Sequence, residues 1–389
     1  MVDKAIGSYK DYIEAQEGVP KESKISERAL NLSDCNIVAQ WVPTTDAKSA
    51  EDSFFKINQA ATPIDPTERR ILRARESASA IAARAITNAG SGHKYWSKFG
   101  KLIQAEIEEV AKAINEELYL PPISSTPINT LDVPVAGRGY NALPFVFDLV
   151  NEINEVAAKD TSTKKDITDK LPADPDGQLT LDYLKKVRQQ LTLITTDTPR
   201  SLGLHPVVYF YTRSGAFKSE AFLATVRFIN YLDKEQKLKD FQRVRANFED
   251  YLVSHKEAAA LIVHKYGTGE RSIPWLYLYL KNLFEKLVAG ATHSQFDQVI
   301  AKDPNFAFLS VPPPPKTIPG GRGKAFSAGT KTAAYFAQAL QSAIKCALCN
   351  ARLHKNSMHI DHKMPQRDGG HAGLSNAQVT HPYCDSSKR

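Results

Sequence analysis

The sequence predicts a mainly α-helical body of the α+β class, with few strands, and a small C-terminal unit organised by a metal ion. Three observations lead there. Apolar residues recur at three- and four-residue spacing through much of residues 1–302, the period of amphipathic helices. A proline- and glycine-rich stretch then interrupts that pattern, with Val311-Pro-Pro-Pro-Pro-Lys316 followed by Gly320-Gly-Arg-Gly323. Behind it, Cys346-Ala-Leu-Cys349 and His381-Pro-Tyr-Cys384 place two pairs of metal-ligating side chains at x-x spacing. The expected division is a body at 1–302, a linker at 303–325 and a tail domain at 326–389.

In chain order, Asn36 to Val42 is strand-like. Thr67 to Asn88 is rich in Ala, Arg, Glu and Ile and predicts one helix, with Thr67 as its N-cap and Gly90 as its stop. Residues 97–116 and 217–265 carry the helical period, and Trp275 to Leu287 repeats it with a very apolar face. The polar span from Ala157 to Gln178 predicts a surface excursion, and Pro206 to Tyr211 reads as a second strand. The proline run favours extended geometry and the glycines after it make a joint, so 303–325 is read as the linker that presents the tail. Thr330 to Ile344 predicts a helix entering the tail. A short strand pair should follow, with His359, Asp361 and His362 on the first strand or its end. The Gly369-Gly370 pair supports a turn, Val379 falls in the second strand, and a last helix begins near His381.

At 389 residues the chain is too long for one core of ordinary size, so two or three units are expected. Hydrophobic content of 42% and charged content of 24% fit a globular protein. No apolar run approaches the roughly 18 residues that span a bilayer, and Met1-Val-Asp-Lys-Ala-Ile6 lacks the apolar core of a secretory signal. Cys35 stands alone and the other cysteines look like ligands, so a reducing cytoplasm is the expected compartment. The net charge of +7 is unevenly placed. Residues 316–389 hold eleven Lys/Arg against three Asp/Glu, a net +8, and the other 315 residues balance 39 bases against 40 acids. A basic segment of this kind attracts a polyanion by releasing its condensed counterions. Nucleic acid is the expected partner.

Cys346, Cys349, His381 and Cys384 supply the four ligands that close a zinc tetrahedron, which makes the site structural. It would pin the last helix to the strands in a unit too small for a large core. Between the two pairs lies Asp361-His362, which zinc does not need. Phosphodiester hydrolysis does need such a pair. Histidine titrates where a water-activating base must, and a hard cation such as Mg2+ or Mn2+ prefers carboxylate oxygens and keeps several waters. Asp361 supplies one carboxylate and Asp385, just beyond Cys384, is the natural second. Lys363, Arg367 and Lys388 are expected phosphate contacts, and His359 and His371 are read as surface histidines.

The tail resembles the HNH endonuclease motif, the ββα-metal fold, over about residues 340–388. The likeness runs from Cys-x-x-Cys through Asp361-His362-x-x-Pro365 with Gly369-Gly370 soon after, then Asn376-x-Gln378-Val379, then the second knuckle with a polar residue and a lysine. The resemblance implies that His362 is the general base and Asp361 a ligand of the catalytic ion. It implies that Asn376 holds the loop between the strands by its amide. Asp385 falls where the family places its last metal-binding residue, usually His or Asn. His381 stands where many members have a cysteine, which leaves two roles open to it: fourth zinc ligand, the preferred one, or ligand of the catalytic ion.

The body resembles a second family over roughly residues 25–235. Phe54-Phe55-Lys-Ile-Asn58, Thr62-Pro-Ile64, Glu68, Ile81-Ala-Ala-Arg-Ala-Ile86 and Gly90-Ser-Gly-His-Lys-Tyr-Trp96 are similar to GmrSD-type restriction proteins, which join a ParB-like domain to a nuclease. That family's nucleotide-binding Asp-Gly-Gln-Arg motif is missing from its place, and Asp176-Gly177-Gln178 lies in a polar loop far downstream. The nucleotide-binding or sensing part is therefore either absent or supplied by a partner chain. Read from residues alone, Gly90 to Lys94 is a helix-ending turn, and the aromatics around Tyr95, Tyr209 and Trp275 are packing. The leading expectation is a metal-dependent DNA endonuclease in bacterial defence against foreign DNA. An RNA-cleaving effector with the same site and a non-catalytic zinc module for nucleic-acid binding are the alternatives.

Overall fold

The computed structural model describes residues 8–33, 53, 66–137, 142–157, 170–310 and 325–388. The chain separates into two compact units, Met1–Ile64 and Asp65–Arg389. In the first, α1 (Tyr9–Gln16) is opened by a reciprocal cap between Ser8 and Asp11, and α2 (Ser23–Ser33) follows. Asn36 to Val42, the expected first strand, lies outside the described residues, as does the whole run from Phe54 to Ile64.

The second unit is mainly helical. It runs through α3 (Pro66–Arg73), α4 (Ala78–Thr87), α5 (Lys101–Tyr119), α6 (Ala142–Ile153), α7 (Gln178–Ile194), the single turn α8 (Pro206–Tyr209), α9 (Ser219–Lys234), α10 (Leu238–Ser254), α11 (Ala258–Tyr266), α12 (Ile273–Val288) and α13 (His293–Lys302). Helix α14 (Ala328–Ala339) leads into a two-stranded sheet, β1 (His359–His362) and β2 (Ala377–Thr380), closed by α15 (Pro382–Ser387). Helix α4 is central: Ala78 to Ile86 are all buried, and small alanines let α5, α6 and α7 approach it closely. Helices α9, α10 and α12 pack beside them, and one continuous apolar core extends from Ile71 to Leu340 at the end of α14.

Two expectations are corrected. The single helix from Thr67 to Asn88 is two helices, because Ser77 turns its hydroxyl onto the Ala80 amide at 3.3 Å and starts a new one. Its end is as expected. Gly90 sits at φ +67° in the closing turn, where a Cβ would lie 2.3 Å from the Glu108 carbonyl oxygen. The expected strand from Pro206 to Tyr211 is instead the turn α8, with Tyr211 in an isolated bridge to Phe217. Every residue in that run is buried, so no alternation marks a strand, and Pro206 at the first helical position presets the helical φ. Residues 217–265 fold as three consecutive helices, and Thr330 to Ile344 as the shorter α14. Of the polar span from Ala157, residues 158–169 lie outside the described residues, as do 311–324 of the linker.

The loop between α7 and α8 is where the tail sits. Its alternate carbonyls each accept from the tail: Asp197 from His359 Nε2 at 2.6 Å, Pro199 from Ser386 Oγ at 2.6 Å and Ser201 from the Tyr383 amide at 2.9 Å. Gly203 must be glycine there, because at φ +62° a Cβ would come within 2.7 Å of Ser357 Cβ and 3.0 Å of His381 Cδ2. Beside it, buried Arg245 on α10 donates to Glu249 at 2.7 Å, to the Gly203 carbonyl at 2.9 Å and to the Leu202 carbonyl. Glu249 in turn accepts from Tyr209 at 3.1 Å and from the Arg352 amide of the tail at 3.0 Å. Arg352 completes the join through Asp250 at 2.8 Å.

His205 of the body and His354 of the tail meet in this seam with ring centroids 5.4 Å apart. Burial pulls both imidazoles down, His205 further through the charge of His354, and His354 to about 4. Both are therefore neutral in the folded protein near pH 7, and the unfolded chain takes up protons first, from about pH 6.5. Stability should fall as pH drops from about 6.5 towards 4, by up to about 1.4 kcal/mol per pH unit for each imidazole. Denaturant unfolding at a series of pH values checks this. His354→Gln should flatten the slope, and an unchanged slope would remove the seam from the explanation.

Candidate active site

Two sites share the tail, and the same short elements build both. The first knuckle is a tight turn in which the Asn350 amide donates to the Cys346 carbonyl at 2.9 Å, with Asn350 at φ +57°. The Ala347 amide donates to the Val379 carbonyl at 2.9 Å, which fastens the knuckle to β2. The second knuckle is the start of α15: His381 is its N-cap, Pro382 follows, and Cys384 lies in the first turn. The ligand atoms of Cys346, Cys349, His381 and Cys384 all lie within 4.8 Å of one another.

The chemistry of this quartet fits zinc. His381 Nδ1 stands 3.3 Å from Cys349 Sγ and 3.8 Å from Cys384 Sγ, while Nε2 donates to the Arg352 carbonyl at 3.0 Å. That outer bond fixes the tautomer and leaves the lone pair of Nδ1 free to bind a metal, as is usual for metal-binding histidines. Burial, reinforced by the charge of Arg245, lowers the His381 pKa and keeps the ring neutral. The crowded thiols depend on one another. Hydrogen bonds from Cys349 and Cys384 pull Cys346 far down, and its sulfur in turn pushes Cys349 up to about 11 and Cys384 higher still. Three thiolates together need a cation among them. Metal analysis should return about one zinc per chain, lost in Cys349→Ser. A folded tail without zinc would remove the assignment.

The second site is an open cleft beside this cluster, lined by Asp361, His362, Pro365, Gln366, Arg367, Asp385 and Lys388. The antiparallel register sets Asp361 opposite Gln378 and His362 opposite Ala377. Asp361 Oδ2 accepts from Gln378 Nε2 at 2.8 Å and from Lys388 Nζ at 3.2 Å. Burial pushes this carboxyl up, but those two donors outweigh it, and its pKa falls below the ordinary value. It is a carboxylate at neutral pH. His362 ends β1 beside the turn that begins at Pro365, which lets its side chain reach the cleft that Asp361 lines. The Gln366 amide nitrogen lies 3.5 Å from His362 Nε2. The amide N–H can donate to His362 Nε2 when that ring nitrogen is unprotonated.

Asn376 holds the loop between the strands. Its Oδ1 accepts from the Met364 amide at 2.8 Å, and its Nδ2 donates to the Met364 carbonyl at 3.1 Å and the His371 carbonyl at 2.8 Å. Gly370 is needed in the same loop, since a Cβ there would lie 1.8 Å from the Met364 carbonyl oxygen. Residues 346–389 match the family described as HNH endonuclease. These residues form an HNH endonuclease domain. No curated protein and no solved structure matches the chain, so nothing supports the likeness of the body to GmrSD-type proteins.

Within the HNH domain, Asp361, His362 and Asp385 share the cleft, while Asn376 supports its loop from below. Of the expected phosphate contacts, Arg367 and Lys388 line the cleft. Lys363 points elsewhere and donates to the Ser375 carbonyl at 3.0 Å. His371 is a local support, its Nδ1 accepting from the Gly373 amide at 3.0 Å. Sequence reasoning missed two residues. Gln378 orients Asp361 across the sheet, and the strand register that pairs them was not fixed by the sequence. His359, read as a bland surface residue, stands 3.4 Å from Asp385 Oδ2. Its place two residues before Asp361, on the same strand face, was the available signal.

Proposed function

We propose that this chain is a metal-dependent endonuclease acting on DNA, with the HNH cleft as its active site. The observation that carries this is the convergence of a base, His362, with two carboxylates, Asp361 and Asp385, in one cleft lined by Arg367 and Lys388. A binding module has no use for the base and the carboxylates. A divalent ion held by Asp361 and Asp385 would neutralise charge on the phosphate and its leaving oxygen. His362 accepts the proton of the attacking water through Nε2. Lys388 and Arg367 hold the phosphate backbone, and the excess of base in residues 316–389 draws the polyanion to the tail. Zinc builds the scaffold and takes no part in the chemistry.

The choice of DNA over RNA follows the HNH resemblance, and an RNA-cleaving effector would use the same groups. A role in defence against foreign DNA, with the body sensing or docking, rests on family analogy. The decisive experiment incubates the intact chain with supercoiled plasmid and, separately, with single-stranded RNA, in Mg2+ or Mn2+. Nicked or linear plasmid is expected in the presence of either ion, and none with chelator. Cleavage of RNA alone would replace the substrate. Tight, salt-sensitive binding without cleavage of either would favour the zinc module.

A further inference from the structure

Arg84 on α4 is a buried cation for which the protein supplies no anion. Its side chain belongs to a residue only 5% exposed, and its Nη1 has no hydrogen-bond partner. The groups whose charge acts on it are Tyr95 and Arg75, and no carboxylate among the described residues is one of them. The other deeply buried guanidinium of this molecule, that of Arg245, is paired with Glu249. Over Arg84 lies the Tyr95 ring, its centroid 4.0 Å from Cζ. Stacking of that kind takes one face of the cation. It leaves the N–H groups unsatisfied, because they point outward in the plane and not at the ring. A buried charge in this state is costly to the fold, so the guanidinium is poised for an acceptor that the chain itself lacks.

The Tyr95 cover is built to move. Residues Ser91 to Lys94 are exposed, and Tyr95 is itself 37% exposed. Both ends of the turn are held: Gly90 lies against the Glu108 carbonyl, and buried Trp96 donates from Nε1 to Glu108 Oε1 at 3.0 Å. Between them Gly92 sits at φ +71° with open space about it, a position where the backbone is least restricted. Displacing the Tyr95 ring uncovers the guanidinium and leaves α4 in place. We propose that Arg84 is the centre of a binding site for a phosphate-type oxyanion, entered from beneath Tyr95. A planar guanidinium offers two parallel N–H groups to two oxygens of one such ion. The added charge of Arg75 favours an ion bearing more than one negative charge. Inorganic phosphate and a phosphate monoester share that chemistry. The site uses no residue of the HNH cleft, so it stands apart from the nuclease reading.

The test follows thermal unfolding of the intact chain in phosphate-free buffer as inorganic phosphate or, separately, a nucleoside monophosphate is added. KCl at matched ionic strength is the control. The midpoint should rise saturably, by about 2–4 °C at roughly ten times the half-saturating concentration, and KCl should not reproduce the rise. Arg84→Met keeps the apolar stem and should respond to neither ion. Tyr95→Ala, on the exposed turn, should half-saturate at a lower concentration, because no ring has to be displaced. A monoester that binds more tightly than phosphate identifies a nucleotide as the source, and the reverse order identifies the free ion. Three results would overturn the proposal: no rise in the intact chain, a rise of the same size in Arg84→Met, which places the ion on another basic surface, or an unchanged half-saturation in Tyr95→Ala. The last of these decides the matter if Arg84→Met fails to fold.

Discussion

Replacing His362 by alanine is expected to lower the rate of phosphodiester cleavage by a factor of about 10² to 10⁴, with zinc content and DNA affinity close to those of the intact chain. The separation follows from placement. The zinc ligands are clustered behind β2 and at the head of α15, and the His362 ring stands in the cleft with Gln366 beside it. Nothing in the zinc shell depends on that ring. Asp361→Ala should also be inactive, for a different reason. It removes an oxygen donor to the divalent ion, so a raised metal concentration should restore part of the rate. His362→Ala should not respond to metal in that way. Equal cleavage by His362→Ala and the intact chain would put the base elsewhere and remove the site as described.

Glu249→Ala should cost about 3–5 kcal/mol of stability, because it strips a buried cation of its partner. Arg245 and Glu249 are both almost fully buried. Burial alone would drive the Arg245 pKa down, but the charge of Glu249 outweighs it, so the guanidinium stays ionised. The same substitution also removes the acceptor for the Tyr209 hydroxyl and the Arg352 amide. Denaturant unfolding measures the loss. The double variant Arg245→Met with Glu249→Leu should recover the part due to the stranded charge, but not the part due to the Tyr209 hydroxyl and Arg352 amide, which stay without their acceptor. A single variant as stable as the intact chain would show that the seam between body and tail carries little of the stability.

What the sequence made legible was local. The four zinc ligands lie in two runs of four residues, and Asp361-His362 is a dipeptide, so spacing alone suggested their chemistry. Helix periods were equally readable wherever one face met solvent, as in α5 and α10. Reading failed where burial was complete or the partner was distant. The run from Pro206 to Tyr211 has no exposed face to reveal its period. Arg245 and Glu249 sit four apart on a helix, which from sequence is the mark of an ordinary surface pair. His359 depends on Asp385, 26 residues away, and on Asp197, 162 residues away, and no local pattern encodes either.

The loop that seats the tail bears on how this HNH domain can be moved to another protein. Three carbonyls, those of Asp197, Pro199 and Ser201, hold β1 and α15 from outside the HNH domain. A chimaera that moves residues 326–388 onto a foreign carrier would keep every zinc ligand and yet lose the acceptor behind His359. It would also open Arg352 and His354, now buried, to water. Transplantation would need the connector from α7 to α8 and the Arg245 face of α10 as well, so the portable unit around this HNH domain is discontinuous along the chain.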